Sequence, residues 1–173
     1  MELKAIIEAL IFASPEPITL KALGKLLDPE TKETILEAIA ALKVDYDRRG
    51  LQLVEVAGGY QIVTRPELHE WVRRLFHERS TQKLSAQALE TLAVIAYRQP
   101  VTVPEILEIR GVQSPSSIKT LLDKKLIVAK GRKETVGRPM MYGTSKEFLL
   151  QFGLKDLSEL PSVEDFQDLS GGS

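Results

Sequence analysis

The sequence predicts a mainly α-helical chain with small β wings, an α+β class arranged as two tandem winged-helix (helix-turn-helix) domains. Three observations predict it. Leu89, Leu92, Ala93 and Ala96 recur at helical spacing, and Pro100, Pro104 and Gly111 then divide the following residues into short helices joined by tight turns. Gly58-Gly59 separates two strand-like runs, Leu51 to Ala57 and Tyr60 to Thr64, which is a strong hairpin signal. Finally, Pro17-Ile-Thr-Leu-Lys-Ala-Leu23 lines up with Pro100-Val-Thr-Val-Pro-Glu-Ile106 at an offset of 83 residues. Upstream, Ala9 to Ala13 lies over Leu92 to Ala96, so one module is present twice.

In the first copy, Leu3, Ile6, Ile7 and Leu10 mark the buried stripe of a helix from Glu2 to Ser14. Pro15-Glu-Pro17 breaks it, and Ile18-Thr19 turns into a short helix, Leu20 to Leu27. Asp28-Pro29-Glu30 reads as a cap followed by proline, the start of a third helix carrying Ile35, Ile39, Leu42 and Tyr46, with Gly50 as its end. The hairpin completes a winged helix. A further helix from Pro66 to Arg79 has a wide apolar stripe including Trp71, Leu75 and Phe76, which either packs back on the domain or serves as a self-association surface.

The second copy opens with Ser85 as an N-cap, and its first helix ends at Tyr97-Arg98-Gln99 before Pro100. Thr102 caps the second helix, with Pro104 in its first turn and Gly111 free to take the left-handed C-cap conformation. Ser114-Pro115 opens a third helix through Lys125. The wing runs Leu126 to Lys130, a loop from Gly131 to Gly137, and Arg138 to Tyr142. Ser145 caps a last helix, Lys146 to Phe152. The expected organisation is therefore an N-terminal domain at 1–79, a linker at 80–84, a C-terminal domain at 85–155 and an acidic tail at 156–173 without a fixed fold.

Bulk composition fits this plan. The chain of 173 residues is long enough for two small domains, and its 43% hydrophobic and 27% charged residues are ordinary for a globular protein. With no cysteine there is neither a disulfide framework nor a thiolate nucleophile. No signal peptide or membrane-spanning run is evident, which sets the expectation of a cytoplasmic protein without membrane contact. The net charge of −1 is unevenly spread: residues 85–155 carry 11 Lys and Arg against 6 acids, whereas residues 156–173 carry 5 acids and no base.

Catalytic chemistry finds no foothold in the pattern. His69 and His77 stand eight positions apart, not at the i, i+4 spacing that lets two imidazoles share a metal. Phosphate-loop and dinucleotide fingerprints are missing, and the serines at 114, 116 and 117 have no histidine in their domain to activate them. The expectation is a binding protein: no enzyme, no cofactor, no metal and no small-molecule substrate. Lys119, Arg132, Lys133 and Arg138 belong to a basic stretch from 114 to 138 that suits phosphate. Yet the third helix of the second domain offers no Arg, Asn or Gln for bidentate base contacts, and the equivalent helix of the first domain is acidic. Nucleic-acid contact is therefore expected to be weak or indirect. A winged-helix transcription regulator is the alternative.

Ala93-Val-Ile-Ala-Tyr97-Arg-Gln-Pro-Val-Thr102, Glu108-Ile-Arg-Gly-Val112 and Gly137-Arg-Pro-Met-Met-Tyr-Gly-Thr144 resemble signature segments of the segregation and condensation protein B family. Leu53-Val-Glu-Val-Ala-Gly-Gly-Tyr-Gln61 and Thr64-Arg-Pro66 extend the resemblance, which covers about Leu3 to Leu160. It implies a non-catalytic subunit of the prokaryotic SMC–kleisin complex that condenses and segregates chromosomes, located at the nucleoid through that complex. It further implies a homodimer held largely by the N-terminal domains, with C-terminal domains that grip the kleisin ScpA and, through it, reach the SMC ATPase. On this reading Tyr97, Arg98, Gln99, Arg110, Lys119, Arg132, Lys133, Arg138 and Tyr142 are candidate partner contacts, and Trp71, Leu75 and Phe76 the candidate dimer interface.

Overall fold

Thr19 and Thr102 hold the same place in the two copies of the repeat, and both are helix N-caps. The computed structural model describes residues 2–75, 84–111 and 116–161. Its contacts divide the chain into two compact units, Met1–Ser80 with Leu154–Glu159, and Thr81–Gly153 with Leu160–Ser173.

The first unit contains α1 (Leu3–Ala13), α2 (Leu20–Leu26), α3 (Lys32–Asp45), β1 (Leu51–Val56), β2 (Gly59–Thr64), a 3-10 turn (Pro66–Leu68) and α4 (His69–Leu75). Ile7 and Ile11 of α1 meet Ile35, Ile39 and Leu42 of α3, with Leu23 of α2 and Leu53 and Tyr60 of the hairpin closing the core. Tyr46, buried just beyond α3, donates its hydroxyl to Glu8 Oε1 at 2.7 Å. Burial first, and the Glu8 carboxylate second, push its phenol up to about 12.

Local signals placed α3 three residues too early. Its N-cap is Thr31, whose Oγ1 accepts the Thr34 N–H at 3.2 Å, while Glu30 N–H bonds back to Leu27 O and closes a separate turn around Asp28-Pro29. The helix also stops at Asp45 instead of running to Gly50, and Arg48 at φ 63° redirects the chain.

The hairpin turn is Ala57-Gly58, because Val56 faces Gly59 across the ladder. Both turn residues have positive φ, 49° and 73°, as a type I′ turn requires. Gly59 serves another purpose. Ile18 and Tyr60 exchange N–H···O bonds of 3.0 and 2.8 Å, drawing Pro17 so close that a Cβ on Gly59 would lie 2.8 Å from the Pro17 carbonyl carbon.

Residues 156–161 are not the featureless tail expected from their composition. Ala57 N–H donates to Leu154 O at 2.8 Å, Gly58 N–H to Lys155 O at 3.0 Å, and Lys155 pairs with Glu55 at 3.3 Å. A 3-10 turn, Leu157–Glu159, follows. Free backbone groups at the hairpin tip thus give Leu154 and Lys155, which lead into this stretch, partners that composition does not reveal. Residues 162–173, the rest of that tail, lie outside the described residues.

The second unit contains α5 (Ala86–Arg98), β3 (Val101–Thr102), α6 (Val103–Arg110), α7 (Ser116–Asp123), β4 (Ile127–Arg132), β5 (Met140–Thr144) and α8 (Lys146–Phe152). Ser85 and Ser145 cap α5 and α8, accepting from Ala88 N–H and Phe148 N–H at 3.2 Å each. The sheet order is β3-β5-β4, with Val101 opposite Tyr142. Two residues are too few to show strand periodicity, so β3 is silent in the sequence, as is its counterpart bridge Ile18–Tyr60 in the first unit. The strands sit later than expected: Arg132 ends β4, and Arg138 lies in the loop at φ 42°. Ser114 and Pro115, the expected start of α7, lie outside the described residues. The helix ends at Asp123 instead of Lys125, which sits at φ 57°.

The repeat holds at the turn and slips in the helix before it. Matching Ala9–Ala13 to Leu92–Ala96 sets Phe12, 74% exposed, against Ile95, fully buried. Burial instead pairs Ile7 with Leu92 and Ile11 with Ala96, because the helix-to-strand connection is longer in the first unit. The buried stripe of α5 is likewise Ala88, Leu92, Ile95 and Ala96, packed on α6 and α7. Leu89 and Ala93 face outward.

Candidate partner-binding surfaces

Two of the residues expected to meet a partner, Arg110 and Gln99, brace the second unit. Arg110 is 9% exposed; its guanidinium donates to Thr91 Oγ1 and Glu90 Oε2 at 2.6 Å each, tying the end of α6 to α5. Gln99 accepts the Thr144 N–H at 2.8 Å and donates to Ala96 O at 2.9 Å, joining the end of α5 to β5. Tyr142 is half-buried in the central strand. Arg110 and Gln99 thus support the unit from within. Arg and Gln ending a helix read as surface residues only while the helix or strand that meets them is out of view.

The basic wing is partly compensated from within. Lys133 Nζ pairs with Glu105, Arg138 with Glu134 at 3.3 Å, and Arg132 donates to Arg138 O at 3.1 Å. Lys119 is exposed on α7, whose outward face also carries Ser116, Leu122 and Asp123. That face offers a phosphate one cation and base edges no bidentate donor.

Glu105 has a double task. Its Oε2 accepts the Thr102 N–H at 2.9 Å and the Thr102 hydroxyl at 2.7 Å, capping α6, while Oε1 takes Lys133 of the wing. The Lys133 ammonium first, then the Thr102 amide and hydroxyl, hold its carboxyl down to about 2 against an ordinary 4.5. A depressed carboxylate contributes its stabilisation fully above the ordinary value, and that contribution fades as pH falls toward the folded value. The tether between wing and α6 should therefore be intact above pH 4.5 and weaken between about 4.5 and 2. A side-chain carboxyl titration by NMR checks this; a Glu105 midpoint at the ordinary value would refute it.

The described residues of this unit form two depressions of note. Arg98, Pro100, Val101, Glu105, Glu108 and Ile109 line a shallow depression where α5 gives way to α6, and Ile109 is 50% exposed there. On the opposite stripe of α5, Leu89, Ala93 and Tyr97 form an apolar groove with Phe148 and Phe152 of α8 and with Leu160 and Pro161. The Tyr97 hydroxyl donates to Pro161 O at 2.7 Å. Sequence reasoning singled out neither Ile109 nor Phe152, because Ile106-Leu107 and Phe148-Leu149-Leu150 beside them leave an exposed apolar residue indistinguishable from its core neighbours.

On the first unit, Trp71 and Leu75 are 67% and 80% exposed, so α4 does not return them to its own core. They stand at i and i+4 on one face, and the Arg74 guanidinium lies 4.4 Å from the Trp71 ring centre. Phe76 lies outside the described residues. Among the described residues no group of three or more His, Asp or Glu side chains is placed to hold a metal, and no helix is long and apolar enough to cross a membrane.

A family model described as segregation and condensation complex subunit ScpB matches residues 5–163. Segregation and condensation protein B of Syntrophotalea carbinolica is 51% identical over 172 residues, 98% of this chain and 86% of that protein. The protein of the same name from Symbiobacterium thermophilum is 51% identical over 163 residues, covering 93% of this chain and 74% of its own. Among solved structures, ScpB from Mycobacterium tuberculosis is 31% identical, covers 88% of this chain and 96% of that one, and superposes with a TM-score of 0.42. A dimer of an ScpB N-terminal domain complexed with an ScpA peptide is 29% identical over 46% of this chain and 98% of that one, also with a TM-score of 0.42.

Proposed function

This chain belongs to the segregation and condensation complex subunit ScpB family, and on that footing we propose that it is a non-catalytic subunit of the prokaryotic SMC–kleisin complex, a homodimer that holds the kleisin ScpA. The observation carrying this reading is the match of the whole two-unit chain, residues 5–163, to that family. The complex condenses and segregates chromosomes, and through it the protein works in the cytoplasm at the nucleoid. Dimer contacts come from α4 through Trp71 and Leu75, large apolar side chains left in water by their own unit. Kleisin contacts come from the second unit at the depression of Arg98 and Ile109, where a cation and an exposed aliphatic group adjoin. Two second units in a dimer engage one linear kleisin segment with a gain in effective concentration.

Mass measurement in solution tests the arrangement: a dimer alone, and two copies per kleisin in the complex. Arg98→Glu with Ile109→Glu is expected to weaken ScpA capture by about tenfold or more, the loss typical of a central apolar and charged contact. Undiminished capture by that variant would place the kleisin elsewhere. Sequence-specific duplex binding, with roughly 1–3 kcal/mol lost per mismatched pair, is the outcome expected of a transcription regulator instead.

A further inference from the structure

The repeat supplies an internal comparison for α2. At the offset of 83 residues Leu23 stands over Ile106, and both are fully buried. The next position is Gly24 in the first unit and a half-buried Leu107 in the second. Glycine inside a helix is destabilising, and Gly24 has no local reason to be there. Its backbone takes no left-handed conformation, and an added Cβ would meet no atom within 4 Å. The missing side chain leaves a groove of about 350 Å³ between α2 and α3, floored by Leu20, Gly24 and Ile35 and edged by Lys21 and Lys32. Both lysines are exposed, and among the described residues the lining holds no carboxylate to meet them.

We propose that this groove binds an acidic segment of a partner protein other than the kleisin. One large apolar side chain of that segment sits on Leu20, Gly24 and Ile35, and its flanking carboxylates meet the Lys21 and Lys32 ammonium groups. An apolar floor calls for an apolar side chain, while two cations with no acid between them repel a basic segment and attract an acidic one. The volume lies in the lower part of the range of about 300–1,000 Å³ usual for binding pockets, which suits an inserted side chain. The repeat sharpens the contrast. α2 carries Lys21 and Lys25 and no acid, whereas the matching α6 carries Glu105 and Glu108. The second unit thus has a leucine and two carboxylates where the first has a glycine and two lysines. Assigning the segment to a partner other than the kleisin rests on the reading above, which puts the kleisin contacts on the second unit.

NMR titration of the isotope-labelled full chain with the peptide Glu-Glu-Leu-Phe-Glu-Glu tests it, with Glu-Glu-Ser-Ser-Glu-Glu as control. The expected result is a saturable shift of the Leu20, Lys21, Gly24 and Ile35 amides, with the control peptide binding about tenfold more weakly or worse. Gly24→Leu, which installs the second copy's residue in open space, should weaken binding by about tenfold or more, as should Lys21→Glu with Lys32→Glu. An unlowered melting temperature shows that either variant keeps its fold. Unmoved groove amides, or a Gly24→Leu chain that binds as well as the parent, would overturn the proposal. Groove amides that shift when the chain alone is concentrated would also overturn it and give the groove to a second copy. Displacement of the peptide by ScpA would overturn it in favour of the kleisin. Failure of the kleisin reading itself shows separately, in ScpA capture by the Arg98→Glu and Ile109→Glu variant.

Discussion

On the proposed homodimer, a chain carrying Trp71→Glu and Leu75→Glu is expected to behave as a monomer at concentrations where the unsubstituted chain associates. Trp71 and Leu75 share one face of α4 and are 67% and 80% exposed, so neither supports its own unit and both are free to anchor a second copy. Burying a glutamate there would cost both the apolar contact and the desolvation of a charge. Interface anchors of this kind are each worth about 2 kcal/mol or more, roughly a thirtyfold change in dissociation constant apiece. Light scattering coupled to gel filtration reads the mass, and thermal unfolding checks that the first unit is unharmed. A variant that stays dimeric would remove α4 from the interface.

Gly59→Ala is expected to lower the stability of the first unit by about 2–3 kcal/mol, the upper part of the usual range for forcing one carbon into filled space. The added Cβ would meet the Pro17 carbonyl carbon and oxygen at 2.8 Å, and backbone cannot swing aside as a flexible side chain does. Relief would require parting Ile18 from Tyr60, whose paired hydrogen bonds hold the chain before α2 to the hairpin. For a unit of this size the melting temperature should fall by roughly 10–20 °C. Gly24→Ala is the matched control. Gly24 lies within α2 with nothing within 4 Å of an added Cβ, so the same substitution should stabilise by about 0.5–1 kcal/mol. Calorimetry of both variants reads the two signs; a Gly59→Ala chain as stable as the parent would refute the close-approach argument.

Helix caps and the apolar stripe of α3 were the most legible features. Ser85, Thr102 and Ser145 stand where their spacing put them, and Ile35, Ile39, Leu42 and Tyr46 all reached the core. Boundaries fared worse wherever two signals competed, as at Asp28-Pro29 against Thr31. The surroundings of the candidate contacts were the least legible. Arg110 and Gln99 look like surface residues in one dimension, and only the approach of α5 to the end of α6, and of β5 to the end of α5, turns them inward.

By itself the sequence determined the two-copy architecture, its helices and hairpins, and the family, because each rests on residues within a few positions of one another or on motifs in fixed order. The tertiary structure alone decided which side of α5 faces solvent, which cations are already paired, and that Leu154–Glu159 joins the first unit. Those outcomes depend on which distant segment arrives opposite a side chain, and neither composition nor periodicity encodes that arrival.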